Sequence, residues 1–196
     1  MATPELSTDV QKKKAGFSSV LIPSFIILGL VVAALFFMKA RHGNGPEPIL
    51  NPLVGDRFPD VELKNLDGSS RKLSSLPGKV FFINFWATWC GPCVSEMPSI
   101  QKLYDEYKAK GLVIVAINTD EDPEKTLEPF LKEYKYTFGS YIDKDGEISD
   151  HLQVEGLPFT YVLNSDRKII FTHMGEEEWN SQEKKKLFST WLGEAQ

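Results

Sequence analysis

The chain has 196 residues, 42% hydrophobic and 25% charged, which is enough apolar material for one packed domain and a short additional segment. The first 41 residues hold five Lys or Arg against two acids, and the remainder holds 17 basic and 25 acidic residues. An acidic domain of this kind repels nucleic acid, so a nucleic-acid partner is excluded. The two cysteines, Cys90 and Cys93, are too few for a framework of structural disulfides.

An uncharged segment comes first along the chain, at residues 20–38. As a helix it would be about 28 Å long at ~1.5 Å per residue, close to the ~30 Å hydrocarbon core of a bilayer. A cleaved signal peptide is the alternative, but the run exceeds the usual length of about 7–15 residues and no A-x-A site follows it. We therefore expect a cytoplasmic tail at 1–16, a transmembrane anchor at 17–38, a Gly- and Pro-rich linker at 39–53 and a folded domain at 54–196.

The domain is predicted to open with a β-hairpin. Residues 58–66 and 70–73 are short extended stretches around Asp67-Gly68, a dipeptide typical of two-residue hairpin turns. Residues 79–87 then form a nearly continuous apolar run, as expected of a buried central strand in a parallel sheet. The cysteine pair follows the carboxyl end of this strand.

Two helices and a second strand are predicted next. Cys90 should cap the first helix, with Pro92 in its first turn and Gly111 just beyond its end. Residues 112–118 are a second buried strand, and Asp122 should cap the helix that follows. These elements give a β-α-β-α succession.

The last part of the domain is predicted to contain two strands and a closing helix. An acidic stretch with a turn at Asp145-Gly146 precedes the strands at 159–164 and 168–174. Residues 181–193 have the pattern of an amphipathic helix. The alternation of elements indicates an α/β sheet with helices on both faces.

The Cys-x-x-Cys spacing predicts redox chemistry. At a helix start, Cys90 lies beside unpaired N–H groups and the positive end of the helix dipole, which stabilise a thiolate. This thiolate would attack a disulfide, and Cys93, about one turn further on, would resolve the mixed disulfide. A zinc site would require more ligands than the scattered His42, His151 and His173 offer, and a structural disulfide closing so short a loop would stabilise little. We therefore expect no metal, and no cofactor beyond the cysteine pair.

Residues 81–98, with the sequence FFINFWATWCGPCVSEMP, resemble the active-site strand and helix of the thioredoxin superfamily. WCGPC is identical to the thioredoxin motif, and Pro98 matches the proline that kinks the helix. The hairpin, the helical segment at 122–136 and the predicted anchor look more like the TlpA/ResA-type branch, which is extracytoplasmic. The resemblance implies a thioredoxin-like α/β fold with an N-terminal β-hairpin and a central insertion, preceded by one transmembrane helix.

The resemblance also implies a substrate-binding loop. Gly156-Leu157-Pro158 matches the loop that faces the cysteines in this superfamily, so Pro158 is expected to follow a cis peptide bond. Leu157 would then offer backbone groups to an extended substrate. Trp89, next to Cys90, is a candidate for shielding the thiols or guiding the substrate.

One position departs from the pattern. Asn84 stands where thioredoxins have a buried aspartate, so the group that removes the proton of Cys93 is left open. Glu96, three residues after Cys93, is a candidate, although an acid in a first helical turn is often only a favourable partner of the helix dipole. Gly91 and Pro92 are shared with thioredoxin, whose potential of roughly −270 mV lies below the ~−120 mV of the oxidant DsbA, so reduction of substrates is the expected direction.

The partners implied by the resemblance are oxidised protein substrates, apocytochrome c among them, and a membrane thiol-disulfide carrier that supplies electrons. Three alternatives make different demands. A thiol oxidase or isomerase needs a less reducing motif, and a peroxidase needs P-x-x-x-[TS]-x-x-C, which is absent. A copper chaperone needs C-x-x-x-C and a distal histidine, for which His173 is the candidate, but the cysteine spacing is wrong.

Overall fold

The computed structural model describes residues 54–193. The predicted tail, anchor and linker lie outside the described residues, as do the last three residues of the chain. Within 54–193, no helix combines the length and the apolar character needed to cross a membrane.

A seven-stranded sheet forms the centre of the described domain. The strands are β1 Glu62–Lys64, β2 Ser70–Lys72, β3 Val80–Trp86, β4 Leu112–Asn118, β5 Gly139–Ile142, β6 Phe159–Asn164 and β7 Ile169–Met174. The α-helices of this region are α1 Gly91–Tyr107, α2 Pro123–Tyr134, α3 Glu147–His151 and α4 Gln182–Trp191.

The sheet is mixed. Its strand order is β2-β1-β5-β4-β3-β6-β7. The pairs β3-β4 and β4-β5 are parallel, whereas the pairs at both sides of this parallel core are antiparallel. This is the thioredoxin-like α/β arrangement that the sequence predicted, with β3 and β4 at its centre.

Strand β3 shows why helices cover both faces of the sheet. All seven of its residues are buried, and successive side chains of a strand point to opposite faces. Phe82 packs in one core cluster with residues of α1, α2 and α4, including Leu103, Leu127 and Phe188. Its neighbour Ile83 packs in the other cluster, which includes residues of β1 and α3. The prediction of helices on both faces is therefore confirmed.

The N-terminal hairpin is present but shorter than predicted. Strands β1 and β2 have three residues each, and five residues, not two, connect them. The carboxylate of Asp67 accepts hydrogen bonds from the backbone N–H and the hydroxyl of Ser69, at 2.9 and 2.6 Å. Gly68 takes a φ of 82° in this turn. Local side-chain bonding thus favours a wider turn than the Asp-Gly dipeptide alone indicates.

Two elements were missing from the prediction. The acidic stretch contains strand β5 and the short helix α3 on either side of the predicted turn. The side chain of Asp143 accepts hydrogen bonds from the N–H groups of Ile148 and Ser149, at 2.9 and 2.8 Å, and so starts the helix. Asp122 is the N-cap residue of α2, as predicted, but its side chain makes no capping hydrogen bond and pairs with Lys125 instead.

Candidate active site

Cys90 and Cys93 form a disulfide at the N-terminus of α1, with Cα atoms 5.3 Å apart. Cys90 is the N-cap residue in an extended conformation, and its Sγ accepts a hydrogen bond from the N–H of Cys93 at 3.3 Å. Pro92 lies in the first turn, where the missing N–H costs no helical hydrogen bond. Cys90 is 6% exposed and Cys93 is fully buried. Of the two, only Cys90 lines the neighbouring cleft, where an attacking cysteine would meet its substrate.

A cleft of about 450 Å³ opens beside the disulfide. Trp89, Cys90 and Pro92 from the cysteine motif line it together with Gly156 and Leu157. The bond between Leu157 and the buried Pro158 is cis, as the resemblance implied. Trp89 is 70% exposed, so its ring stands in solvent at the edge of the cleft. Gly91, the remaining residue of the motif, is exposed, and an added Cβ there would meet no atom within 4 Å.

A buried carboxylate fixes the loop that leads into the cysteine motif. Asp120, after β4, is 2% exposed and accepts hydrogen bonds from the N–H and the hydroxyl of Thr88 at 3.0 and 2.7 Å. The same carboxylate accepts the hydroxyl of Thr126 in α2 at 2.5 Å. Asp120 therefore ties the carboxyl ends of the two central strands and the start of α2 together behind the active site.

Glu96 lies at the centre of a second buried polar cluster. Its side chain is 1% exposed, and its Oε1 accepts a hydrogen bond from Asn84 Nδ2 at 2.9 Å. Its Oε2 accepts from Trp179 Nε1 at 3.0 Å and from the backbone N–H of Glu177 at 3.2 Å. Asn84 Nδ2 also donates to the hydroxyl oxygen of Thr160 at 3.1 Å. Both carboxylate oxygens are thus bonded without contact with solvent.

This environment shifts the titration of Glu96. Burial raises the pKa of its carboxyl from 4.5 to about 7, because the charged form loses its hydration. The N–H donors of Trp179, Asn84 and Glu177 favour the charged form and limit the rise in pKa, whereas the negative charge of Glu176 adds to it. A carboxyl group with a pKa near neutrality can take up and release a proton under ordinary conditions.

The two polar residues singled out from the sequence, Asn84 and Glu96, are thus in direct contact. The prediction that Glu96 lies in the first helical turn is wrong, because that turn contains no acid and Glu96 follows one turn after Cys93. Its position in the core and its hydrogen bonds, not the helix dipole, account for its environment. Trp179, Thr160 and Glu177 were missed, because they belong to strands and loops 76 to 83 positions away from their partners.

His173, the candidate copper ligand, lies on β7 opposite Thr160. Its ring centroid is 5.6 Å from that of Trp179. Among the described residues, no group of three or more His, Cys, Asp or Glu side chains is placed to hold a metal ion.

The fold and the cysteine pair together define a thiol-disulfide oxidoreductase of thioredoxin-like architecture. The model of the Redoxin family matches residues 53–189. The thiol-disulfide oxidoreductase ResA of Oceanobacillus iheyensis is 40% identical over 166 residues, which cover 83% of this chain and 83% of that protein. ResA of Halalkalibacterium halodurans is 40% identical over 122 residues, covering 62% of this chain and 69% of that protein.

Solved structures show the same likeness. The crystal structure of a Chlorobium tepidum protein assigned as a thiol:disulfide interchange protein DsbE superposes with a TM-score of 0.66 and 30% identity, over 72% of this chain and 99% of that one. The chain therefore belongs to the Redoxin family and, within it, to the ResA-type thiol-disulfide oxidoreductases. The predicted family and the predicted thiol-disulfide exchange are confirmed.

Proposed function

We propose that this oxidoreductase reduces disulfides of extracytoplasmic proteins, with Cys90 as the attacking and Cys93 as the resolving thiol. The observation that carries the proposal is the combination of a Cys90 that lines the cleft, a fully buried Cys93 and a buried carboxylate, Glu96, one helical turn further along α1. The Gly91-Pro92 dipeptide between the cysteines supports the reducing direction, because thioredoxin has the same pair.

The first step is attack by the Cys90 thiolate on one sulfur of the substrate disulfide. A bond forms between Cys90 Sγ and that sulfur, the substrate disulfide breaks, and the other substrate sulfur leaves as a thiolate. The thiolate of Cys90 is stabilised at the start of α1, where backbone N–H groups lack helical partners. The cleft beside Trp89 and Leu157 would hold the polypeptide on both sides of the attacked bond.

The second step releases the substrate and needs a proton acceptor for Cys93. Residues three apart on a helix lie on the same face, so Cys93 and Glu96, both buried, share one face of α1. Glu96 takes the proton, and the Cys93 thiolate attacks Cys90 Sγ in the mixed disulfide. The Cys90–Cys93 disulfide forms, and the second substrate sulfur leaves as a thiolate. The structure shows this oxidised state.

Asn84 has a defined part in this scheme. The position that is an acid in thioredoxins here carries an amide, which donates its N–H to Glu96. The buried carboxylate is thus Glu96 on α1, whereas in thioredoxins it is the residue at the Asn84 position on β3. The Asn84 amide donates a hydrogen bond to Glu96 that favours the charged form of the carboxylate. The doubt that Asn84 raised about the deprotonation of Cys93 is answered by Glu96 in this proposal.

The substrate is an oxidised protein chain, and apocytochrome c is one candidate. Leu157, beside the cis bond, would pair through its backbone with an extended segment in the cleft. The enzyme would then be recharged by a membrane thiol-disulfide carrier. The uncharged segment at 17–38 supports such a placement, with the tail in the cytoplasm and the domain outside.

The equilibrium potential of the Cys90–Cys93 couple tests the direction of the reaction. It can be titrated against dithiol buffers and followed by the fluorescence of Trp89 beside the disulfide. A value near the roughly −270 mV of thioredoxin is expected for a reductase. A value near the ~−120 mV of DsbA would contradict the proposal and make the protein a thiol oxidase or isomerase.

A further inference from the structure

The loop between β7 and α4 closes over Glu96. Its residue Trp179 is fully buried, and the indole N–H donates to Glu96 Oε2 at 3.0 Å. The backbone N–H of Glu177, two residues earlier, donates to the same oxygen at 3.2 Å. The loop therefore supplies two of the three N–H donors that the carboxylate receives, and Asn84 supplies the third.

The indole is held rigidly in place. Its ring meets Phe82 edge to face, with centroids 4.7 Å apart, and the backbone N–H of Trp179 donates to the hydroxyl of Ser99 in α1 at 3.1 Å. Lys184, from α4, lies 5.7 Å from the indole centroid and forms an ion pair with Glu177 at 2.8 Å. Contacts from β3, α1 and α4 thus fix the direction of the indole N–H of Trp179.

We propose that Trp179 is a positioning residue for thiol-disulfide exchange, whose indole N–H holds the Glu96 carboxylate beside Cys93 and sets its readiness to take the Cys93 proton. This inference rests on the proposed function, in which Glu96 is the proton acceptor. Trp179 itself touches neither the substrate nor the cysteines in the scheme and acts through Glu96.

The physical reason is that two opposite effects set the proton affinity of the buried Glu96 carboxylate. Burial disfavours the charged form, and each N–H donor favours it. The other groups that face Glu96 cannot replace the indole: Asn84 from β3 already donates once to it and once to Thr160 of β6. The remaining charged or titratable groups near the cluster are Cys93 on α1, Glu176 and Glu177 in the loop, His173 on β7 and Lys184 on α4.

The variant Trp179→Phe in the full-length protein tests the inference. Phenylalanine keeps an aromatic ring against Phe82 and removes the N–H. The rate at which a model peptide leaves its mixed disulfide with Cys90 is measured between pH 5 and pH 9. The midpoint of the pH profile should move up by about one unit, a tenfold change in proton affinity. Trp191→Phe is the matched control, since Trp191 packs on Phe171 and Phe188, and its profile should follow the wild type.

Glu96→Gln, alone and combined with Trp179→Phe, separates the two proposals. If Glu96→Gln leaves the profile unchanged, the proposed role of Glu96 is wrong. If Glu96→Gln abolishes the change of the release rate with pH near neutrality, but the profile of Trp179→Phe follows the wild type, only the role of Trp179 is overturned. Support requires that Trp179→Phe shifts the profile in the wild type and adds nothing in the Glu96→Gln background.

A measurement on the unmodified protein covers the case in which Trp179→Phe does not fold. The indole N–H resonance of Trp179 should titrate with the same midpoint as the carboxyl carbon of Glu96, because the two groups share a hydrogen bond. The indole resonance of Trp191 should not respond. A Trp179 resonance that stays constant while Glu96 titrates would overturn the inference.

Discussion

At the scale of single residues, the burial of Glu96 links catalysis to stability. Its pKa of about 7 in the folded protein lies above the ordinary 4.5, so between these values the folded state binds more protons than the unfolded chain. Stability therefore falls as the pH rises from about 4.5 through 7, by at most ~3 kcal/mol from this group. Above about pH 7 Glu96 is mostly charged. This charged form is the costly one to bury, and it is also the form that can accept a proton from Cys93.

Glu96→Gln should remove this dependence. We expect the variant, with its disulfide intact, to gain stability relative to the wild type by about 2–3 kcal/mol between pH 5 and pH 8, since the amide does not ionise. Urea unfolding at both pH values measures the difference. Glu133→Gln, at an exposed position of α2, is the control and should show no such gain. Parallel curves for the wild type and Glu96→Gln would contradict the raised pKa.

The unequal exposure of the two sulfurs predicts which single variant traps a substrate. Cys93→Ser keeps Cys90, which lines the cleft, so a mixed disulfide should form and persist because the resolving thiol is gone. Cys90→Ser leaves only the fully buried Cys93 and should trap at least tenfold less. Non-reducing electrophoresis after incubation with an oxidised protein measures the yield. Equal trapping by both variants would contradict the assigned order of attack.

At the scale of elements, Asp120 connects the segments behind the active site. Asp120→Ala would remove the acceptor of the N–H and the hydroxyl of Thr88 in a partly buried region, and would leave the Thr126 hydroxyl only the backbone oxygen of Asp122, at 3.1 Å. We expect a loss of about 2–4 kcal/mol in the free energy of unfolding, because hydrogen bonds to charged groups contribute about 1.5–3 kcal/mol. Chemical denaturation measures it, with the exposed Glu121→Ala as control. A loss below about 1 kcal/mol would show that the bonds do not hold these segments together.

Helices and strands could be predicted from the sequence where the residues of the element itself determine its conformation. Strands β3 and β4 are apolar except for one asparagine each; β4 was predicted with its observed limits, and β3, predicted at 79–87, is one residue shorter at each end. Strand β5 has four residues, of which two are buried, and becomes a strand through pairing with β4 on one side and β1 on the other. Pairing of this kind cannot be read from a short segment alone. Helix α3 depends on the side chain of Asp143, which the sequence showed only as one acid of an acidic stretch.

The same distinction holds for the site. The motif at Cys90 and Cys93 and the cis bond at Pro158 are encoded locally and followed from a family resemblance. The contact between Glu96 and Trp179 joins residues 83 positions apart and exists only after β7 and α4 have been placed beside α1. The sequence could therefore name the thiols but not the tryptophan that holds the neighbouring carboxylate.

At the scale of the whole molecule, the predicted anchor and the described domain have separable effects. The chemistry lies within residues 54–193, so a chain from residue 54 onward should reduce a soluble protein disulfide at the rate of the full-length protein, within about twofold. The anchor should affect only where the enzyme works and how fast it is recharged. We expect a membrane thiol-disulfide carrier to reduce the full-length protein at least tenfold faster than the shortened chain, because both partners then share one membrane.

Membrane fractionation tests the anchor itself. The full-length protein should stay with the membranes through an alkaline wash, and protease added from the outside should remove the domain, whereas the chain from residue 54 should be soluble. Leu28→Arg places a charge at the middle of the predicted span, where it costs about 2.5–3.5 kcal/mol by insertion scales, and should release part of the protein. Val20→Arg, at the edge of the apolar run, is the matched control and should release less. A full-length protein found in the soluble fraction would refute the anchor and leave the thiol chemistry of Cys90 and Cys93 intact, since the disulfide and the hydrogen bonds described for the site lie within residues 54–193.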